Sequence, residues 1–148
     1  MGYLKGLDTS ASALTAQRLR MDTISQNIAN ANTTRTENGT PYRRKEVLFE
    51  EKNSNAPFSQ YLKDAEGGAD SAGNGVRVSQ IVEDTSPLKQ VYDPGNPDAD
   101  QNGYVQMPNV DIVTEMVNMI SATRAYEANI TALNSTKGMA TKALEIGK

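Results

Sequence analysis

The sequence predicts a mainly α-helical protein whose long N- and C-terminal helices pack as a coiled-coil-like pair, with a small β-rich or irregular insertion between them. Two observations favour this fold class. Apolar residues recur at heptad-like spacing near both ends of the 148-residue chain, and such spacing keeps one side of a helix facing a partner helix. Between the ends, Gly, Pro, Asn and Asp interrupt the helical period. We therefore predict a core helix in residues 1–35, an insertion in 36–108 and a second core helix in 109–148.

The first predicted helix carries a seven-residue apolar repeat. Leu7, Leu14, Met21 and Ile28 follow one another at this interval, and residues 7–35 contain no Pro or Gly. A heptad row predicts a seam against another helix. Asn is a poor residue for a helix interior. The Asn-rich end of this segment can fix the register between helices or fray into a capped turn, and both roles hold together if Asn27 and Asn30 lie inside the helix and Asn32 at its end.

The insertion contains short runs that are typical of strands. Residues 42–50 are extended in character, and 76–82 alternate partly and are rich in β-branched side chains. We predict that the second run pairs with residues 88–92 across a turn at 84–87. The glycine-rich residues 67–75 are predicted to form a loop, and residues 93–97 a rigid turn.

The C-terminal helix has the most regular pattern in the chain. Its positions from Ile112 to Leu144 step by four and three residues, and Val113, Val117 and Ile120 form a second apolar row beside them. A stripe this wide is typical of a helix with more than one neighbour. Because one chain supplies only one other long helix, the pattern predicts packing between chains; the alternative is a self-contained hairpin whose apolar face stays exposed. We also expect Asn109 to cap this helix.

The predicted interface between subunits combines residues from both helices. Its members are Leu7, Ala11, Leu14, Met21, Ile24, Ile28, Ile112, Met116, Val117, Met119, Ile120, Tyr126, Ile130, Leu133 and Leu144.

The composition excludes most catalytic chemistry. The chain has no His and no Cys, so it contains no Ser-His-Asp triad, no Cys nucleophile and no site in which these residues bind zinc. Its net charge of −3 argues against nucleic-acid binding. Residues 98–103 fit the first half of a calcium loop, but Asn109 stands where that loop needs Glu, and a structural turn explains the same residues. We expect no catalytic residues, metal, cofactor or small-molecule substrate.

Two segments resemble those of bacterial flagellar axial proteins. Residues 14–35, LTAQRLRMDTISQNIANANTTR, are similar to the N-terminal signature of flagellar rod and hook proteins, and residues 119–133, MISATRAYEANITAL, resemble the matching C-terminal helix. Residues 41–51 and 91–119, together with the short length, resemble the proximal rod protein family. The N-terminal motif rests on Ser25, Asn27, Ile28, Ala29, Asn30, Asn32 and Thr33.

The resemblance implies a structural subunit of the flagellar basal body. Members of the family leave the cytoplasm unfolded through the flagellar type III export apparatus, without a cleaved signal. They polymerise with themselves and with other rod proteins into a hollow drive shaft that spans the periplasm and transmits torque. The terminal helices would form its inner core and the insertion its outer layer, and the helices of the free chain would be largely disordered. The alternative function is a cytoplasmic helical chaperone or binding module that holds an apolar partner on the same seams.

Overall fold

A computed structural model describes residues 2–52 and 74–146, and it confirms two long helices that flank a small insertion of antiparallel strands. Helix α1 spans Gly2–Ala29 and helix α2 spans Ile112–Ile146. Between them lie strands β1 (Lys45–Glu51), β2 (Val76–Glu83), β3 (Lys89–Tyr92) and β4 (Tyr104–Met107). Most of the predicted loop at 67–75 lies outside the described residues.

The two helices pack against each other in antiparallel orientation. The end of α1 meets the start of α2, where Asn27 Nδ2 donates to Glu115 Oε2 at 2.9 Å. Further along the pair, Thr123 Oγ1 lies 3.6 Å from Met21 Sδ. Ala122 is fully buried in α2, and its small side chain suits a close approach of the two backbones. The predicted helix pair is therefore formed within a single chain, so we expect folded helices in the isolated chain where the resemblance implied largely disordered ones.

Both helices are shorter than predicted at the ends that face the insertion. Helix α1 ends at Ala29, and the chain continues in turns, with the Thr33 amide donating to the carbonyl of Asn30. This early end agrees with the low helix propensity of Asn.

The prediction that Asn109 caps α2 is wrong. Asn109 Oδ1 accepts from the Arg44 amide at 2.9 Å, and its Nδ2 donates to the Asp84 carbonyl at 3.2 Å, so it anchors the insertion. Asp111 stands before the first residue of α2 instead, and its carboxylate accepts from Thr114 Oγ1 at 2.5 Å. This hydrogen bond lowers the pKa of Asp111 below its ordinary value.

The predicted pairing of β2 with β3 is also wrong. Strand β1 pairs with β2 and strand β3 pairs with β4, both in antiparallel register. The segment after β2 does not close a tight hairpin, because side chains of other segments hold it. Arg43 Nη1 and Asn109 Nδ2 both donate to the carbonyls of Asp84 and Ser86.

The acidic residues before β4 form a structural turn. Asp100 Oδ1 accepts from the amides of Asn102 and Tyr104 at 2.8 and 2.9 Å. Gly103 has a φ of +82°, and a Cβ there would lie 2.9 Å from the Tyr92 ring. The turn therefore depends on glycine at this position.

The β1–β2 hairpin lies along α1. The Val76 amide donates to Ser12 Oγ at 3.1 Å, and Lys52 Nζ lies 3.4 Å from Asp8 Oδ2. Among the described helices and strands, α1 contacts both α2 and this hairpin, whereas α2 packs only on α1. Much of the surface of α2 is consequently left without cover from its own chain.

The described part of the chain has a small apolar core. Its buried apolar residues are Ala16, Ile24, Ala31, Tyr42, Val105, Val110 and Ala122. Within this part of the chain, neither helix combines the length and the apolar character needed to cross a membrane.

Candidate assembly surface

Five large apolar side chains at the start of α2 are exposed, and we call them the apolar patch. Their exposed fractions are 40% for Ile112, 69% for Val113, 54% for Met116, 61% for Val117 and 54% for Ile120. Glu115 and Ala122, by contrast, are buried on the side of α2 that faces α1. The patch therefore lies on the sides of α2 that its own chain leaves uncovered. Contiguous exposed apolar residues of this kind mark interaction sites.

The structure divides the predicted interface residues into two groups. The exposed group contains Ala11, Ile112, Met116, Val117, Ile120, Ile130 and Leu144. The buried or half-buried group contains Leu7, Leu14, Met21, Ile24, Ile28, Met119, Tyr126 and Leu133. Much of the heptad row is thus already covered inside the chain, and the exposed group has the most surface left for another chain. The predicted interface omitted Val113 and Met139, which are both more than 60% exposed.

A buried polar network joins α1, the start of β1 and α2. Its centre is Asn27, which is 1% exposed. Asn27 Nδ2 donates to the Lys45 carbonyl at 2.8 Å and to Glu115 Oε2 at 2.9 Å. Asn27 Oδ1 accepts from the Lys45 amide and from the Tyr42 hydroxyl, both at 2.9 Å. Both donors and both acceptor sites of the amide are therefore used. We call these residues, with Arg44, the Asn27 network.

Glu115 is a buried carboxylate that the network stabilises with a positive partner. It is 1% exposed, and its Oε1 accepts from Arg44 Nε at 2.9 Å and from Asn118 Nδ2 at 3.3 Å. Such pairing is what makes a buried charge tolerable. Burial by itself would lower the pKa of Arg44, but hydrogen bonds to Glu115 and Glu46 raise it above its ordinary value. The guanidinium therefore stays charged and keeps Glu115 paired.

The predicted N-terminal motif lies where α1 ends and the network begins. Asn27 bonds to the insertion and to α2, whereas Asn30 bonds locally: its Nδ2 donates to the Gln26 carbonyl, and its Oδ1 accepts from Thr33 Oγ1. Ile28 is half-buried, and Ser25, Ala29 and Asn32 are exposed. The motif thus contributes one buried anchor and a set of residues that end the helix.

Tyr42 makes the network sensitive to high pH. Burial raises the pKa of its phenol above the ordinary value of 10.0, and the negative charges of Glu83 and Glu115 raise it further. A raised pKa means that the folded chain favours the neutral phenol. The contribution of Tyr42 to stability is therefore complete below the pKa of the phenol in the unfolded chain, and it is lost as the pH rises through the pKa of the phenol in the folded chain. We expect the helicity of the purified chain, measured by circular dichroism, to fall above about pH 10.

Tyr42→Phe is the control for this alkaline transition. The variant loses a hydrogen bond worth about 1 kcal/mol at neutral pH, but it has no phenol to ionise. Its helicity should therefore fall less between pH 9 and pH 12 than that of the unmodified chain. Equal alkaline losses in both proteins would contradict the assignment to Tyr42.

Comparisons with known proteins match nearly the whole chain to one kind of protein. A family described as "Flagella basal body rod protein" matches residues 7–35, and one described as "Flagellar basal body rod FlgEFG protein C-terminal" matches residues 101–146. A protein of Bacillus subtilis is 57% identical over 152 residues, with 100% of both chains covered. One of Borreliella burgdorferi is 48% identical over 155 residues, covering 99% of this chain and 98% of the relative. One of Salmonella typhimurium is 45% identical over 148 residues, again with 100% of both covered. All three relatives are named "Flagellar basal-body rod protein FlgC".

Proposed function

The chain belongs to the family of flagellar basal-body rod proteins, and we propose that it builds the rod through the apolar patch of α2. It is a structural subunit of the bacterial flagellar rod, and it assembles with other rod proteins. No part of this role requires catalysis.

The observation that carries the proposal is the contrast between the core and the surface of α2. The described core is small and includes several alanines, whereas the apolar patch leaves five larger side chains 40–69% exposed. Full burial of one such side chain from complete exposure contributes roughly 1.5–3 kcal/mol. Because the five are about half exposed, a neighbouring subunit that covers the patch would gain about half of this for each side chain. A contact between unlike surfaces of successive copies does not close as a dimer; it propagates as a helical filament unless its rotation closes a ring.

We propose that the domain division follows from this assembly. Residues 1–35 and 109–148 would form the inner core of the rod, and residues 36–108 its outer layer. A chain with no Cys and a small core suits passage through the type III export apparatus in an unfolded state, because neither disulfides nor a large core has to be disrupted. Torque would then pass between subunits through the contacts of the helices.

Complementation tests this function directly. A strain that lacks the gene for the chain is supplied with a tagged copy, and its swimming and the tagged chain in purified basal bodies are measured. We expect the chain in the basal bodies and restored swimming. Removal of the export apparatus should leave the chain in the cytoplasm. A chain that stays in the cytoplasm of export-competent cells would favour a chaperone instead.

A further inference from the structure

A cleft of about 240 Å³ lies where α1, β1 and the start of α2 meet. Its lining includes apolar residues from two elements: Ile24 of α1 is buried, Val47 of β1 is half-buried and Phe49 of β1 is 38% exposed. The cleft is open at the surface, so part of this apolar lining is accessible to another molecule.

Arg20 gives the cleft a positive charge that no described residue of the chain neutralises. Its side chain lines the cleft and is half-buried, and within residues 2–52 and 74–146 it makes no hydrogen bond or ion pair. Arg44, which also lines the cleft, is held by Glu46 and Glu115. Apart from Ile24, Val47 and Phe49, the lining of the cleft is polar or charged. A guanidinium that no described residue neutralises, next to these three apolar side chains, favours a partner that offers a carboxylate beside apolar residues. The occupant of the cleft should therefore present an apolar row followed by an acidic residue.

The side of α2 that faces away from α1, which we call its outer side, carries apolar residues followed by an acidic one. Val113, Ile120 and Glu127 are spaced seven residues apart, so they lie on one side of the helix, with about 10.5 Å between successive members. Glu127 is exposed, and its carboxylate has no partner in the described part of the chain, although its main-chain carbonyl accepts from Thr131. The apolar patch and a free carboxylate thus follow one another along the same side.

We propose that the cleft of one copy receives the outer side of α2 from the next copy, with Glu127 of that copy against Arg20 and the apolar patch against Val47 and Phe49. This inference rests on the proposed rod function and names the contact through which copies join. The α2 residues that line the cleft are Glu115 and Asn118, whereas Val113 and Ile120 project from other sides of α2. A single copy can therefore offer its cleft and its patch to two different neighbours, which is the geometry of a growing filament.

Charge exchange tests the contact in cells that lack the natural chain. Arg20→Glu and Glu127→Arg are introduced singly and together, and rods are counted in purified basal bodies. Each single change puts like charges in contact, and we expect a reduction of about tenfold or more in rods per cell. The double change restores opposite charges and should recover most of the rods. Arg18→Glu is the matched control, because Arg18 is exposed on the same helix outside the cleft lining, and it should leave the rods at normal number.

A second pair of variants keeps the proposal falsifiable if charge reversal disturbs folding. Arg20→Gln and Glu127→Gln remove one charge each, so their combination should be no worse than either one alone if the two residues form a pair. Additive losses in this series, or normal rods in both reversed single variants, would overturn the contact. The proposed function would stand in both cases as long as the unmodified chain is recovered in basal bodies, so the two ideas fail separately.

Discussion

Ile120→Asp should remove the chain from the rod and abolish swimming, while the helix pair within the chain stays intact. Ile120 is 54% exposed, so a carboxylate there remains in water in the isolated chain. In the assembled rod the same carboxylate would be buried without a partner, and such a charge costs about 3–5 kcal/mol. Because 1.4 kcal/mol corresponds to about a tenfold change in affinity, we expect the contact to weaken by a factor of about 100 to 4,000. The measurements are swimming and the amount of the chain in purified basal bodies.

Ser135→Asp is the control for this variant. Ser135 is an exposed polar residue of the same helix, so its substitution adds the same charge outside the apolar patch and should leave the rods unchanged. Circular dichroism of the two purified variants should give the helicity of the unmodified chain. Normal swimming by the Ile120 variant would contradict the role of the patch, and a loss of helicity confined to that variant would show that the patch stabilises the chain itself.

The sequence was sufficient to predict the helix pair, but not which sides of the two helices are covered within the chain and which are left for another subunit. The row through Leu7, Leu14 and Met21 predicted a seam, and the structure buries this side of α1 at least partly within its own chain. Periodicity identifies the side of a helix that is apolar, but it does not state which helix covers that side. Only the structure separates the half-buried row from the apolar patch, because both have helical spacing and similar side chains.

The errors in the insertion have a related cause. The sequence predicts that β2 pairs with the next apolar run along the chain, because hairpins between neighbouring strands are common. It pairs instead with β1, from which residues 52–75 separate it. What prevents the local hairpin is a set of side chains distant in sequence, among them Arg43 and Asn109. The same applies to Asn27: the sequence marks it as a poor helix residue and as part of the N-terminal motif, but its bonds to Lys45 and Glu115 join residues distant in sequence.

Asn27→Asp should open the Asn27 network and detach the insertion from the helix pair. An ionised carboxylate only accepts hydrogen bonds, so the variant loses the donors to the Lys45 carbonyl and to Glu115 Oε2, now 2.8 and 2.9 Å away. It also places a second negative charge beside Glu115 at a site where both residues are 1% exposed. An uncompensated buried charge costs about 3–5 kcal/mol, which is a large fraction of the roughly 5–15 kcal/mol that stabilises a typical domain. We expect lower helicity by circular dichroism and no rods at neutral pH.

The variant should also respond to pH in a direction that distinguishes electrostatic repulsion from a packing defect. Two carboxylates that share a buried site favour a shared proton, which raises the pKa of the introduced carboxyl in the folded chain. Stability is then present at low pH and lost as the pH rises through the raised value. We therefore expect its helicity to recover when the pH is lowered from 7 towards 5. Gln26→Glu, the same change at the exposed neighbouring position, should assemble normally and show no such recovery. Unchanged helicity of the Asn27 variant at pH 7 would show that the network does not hold these elements together.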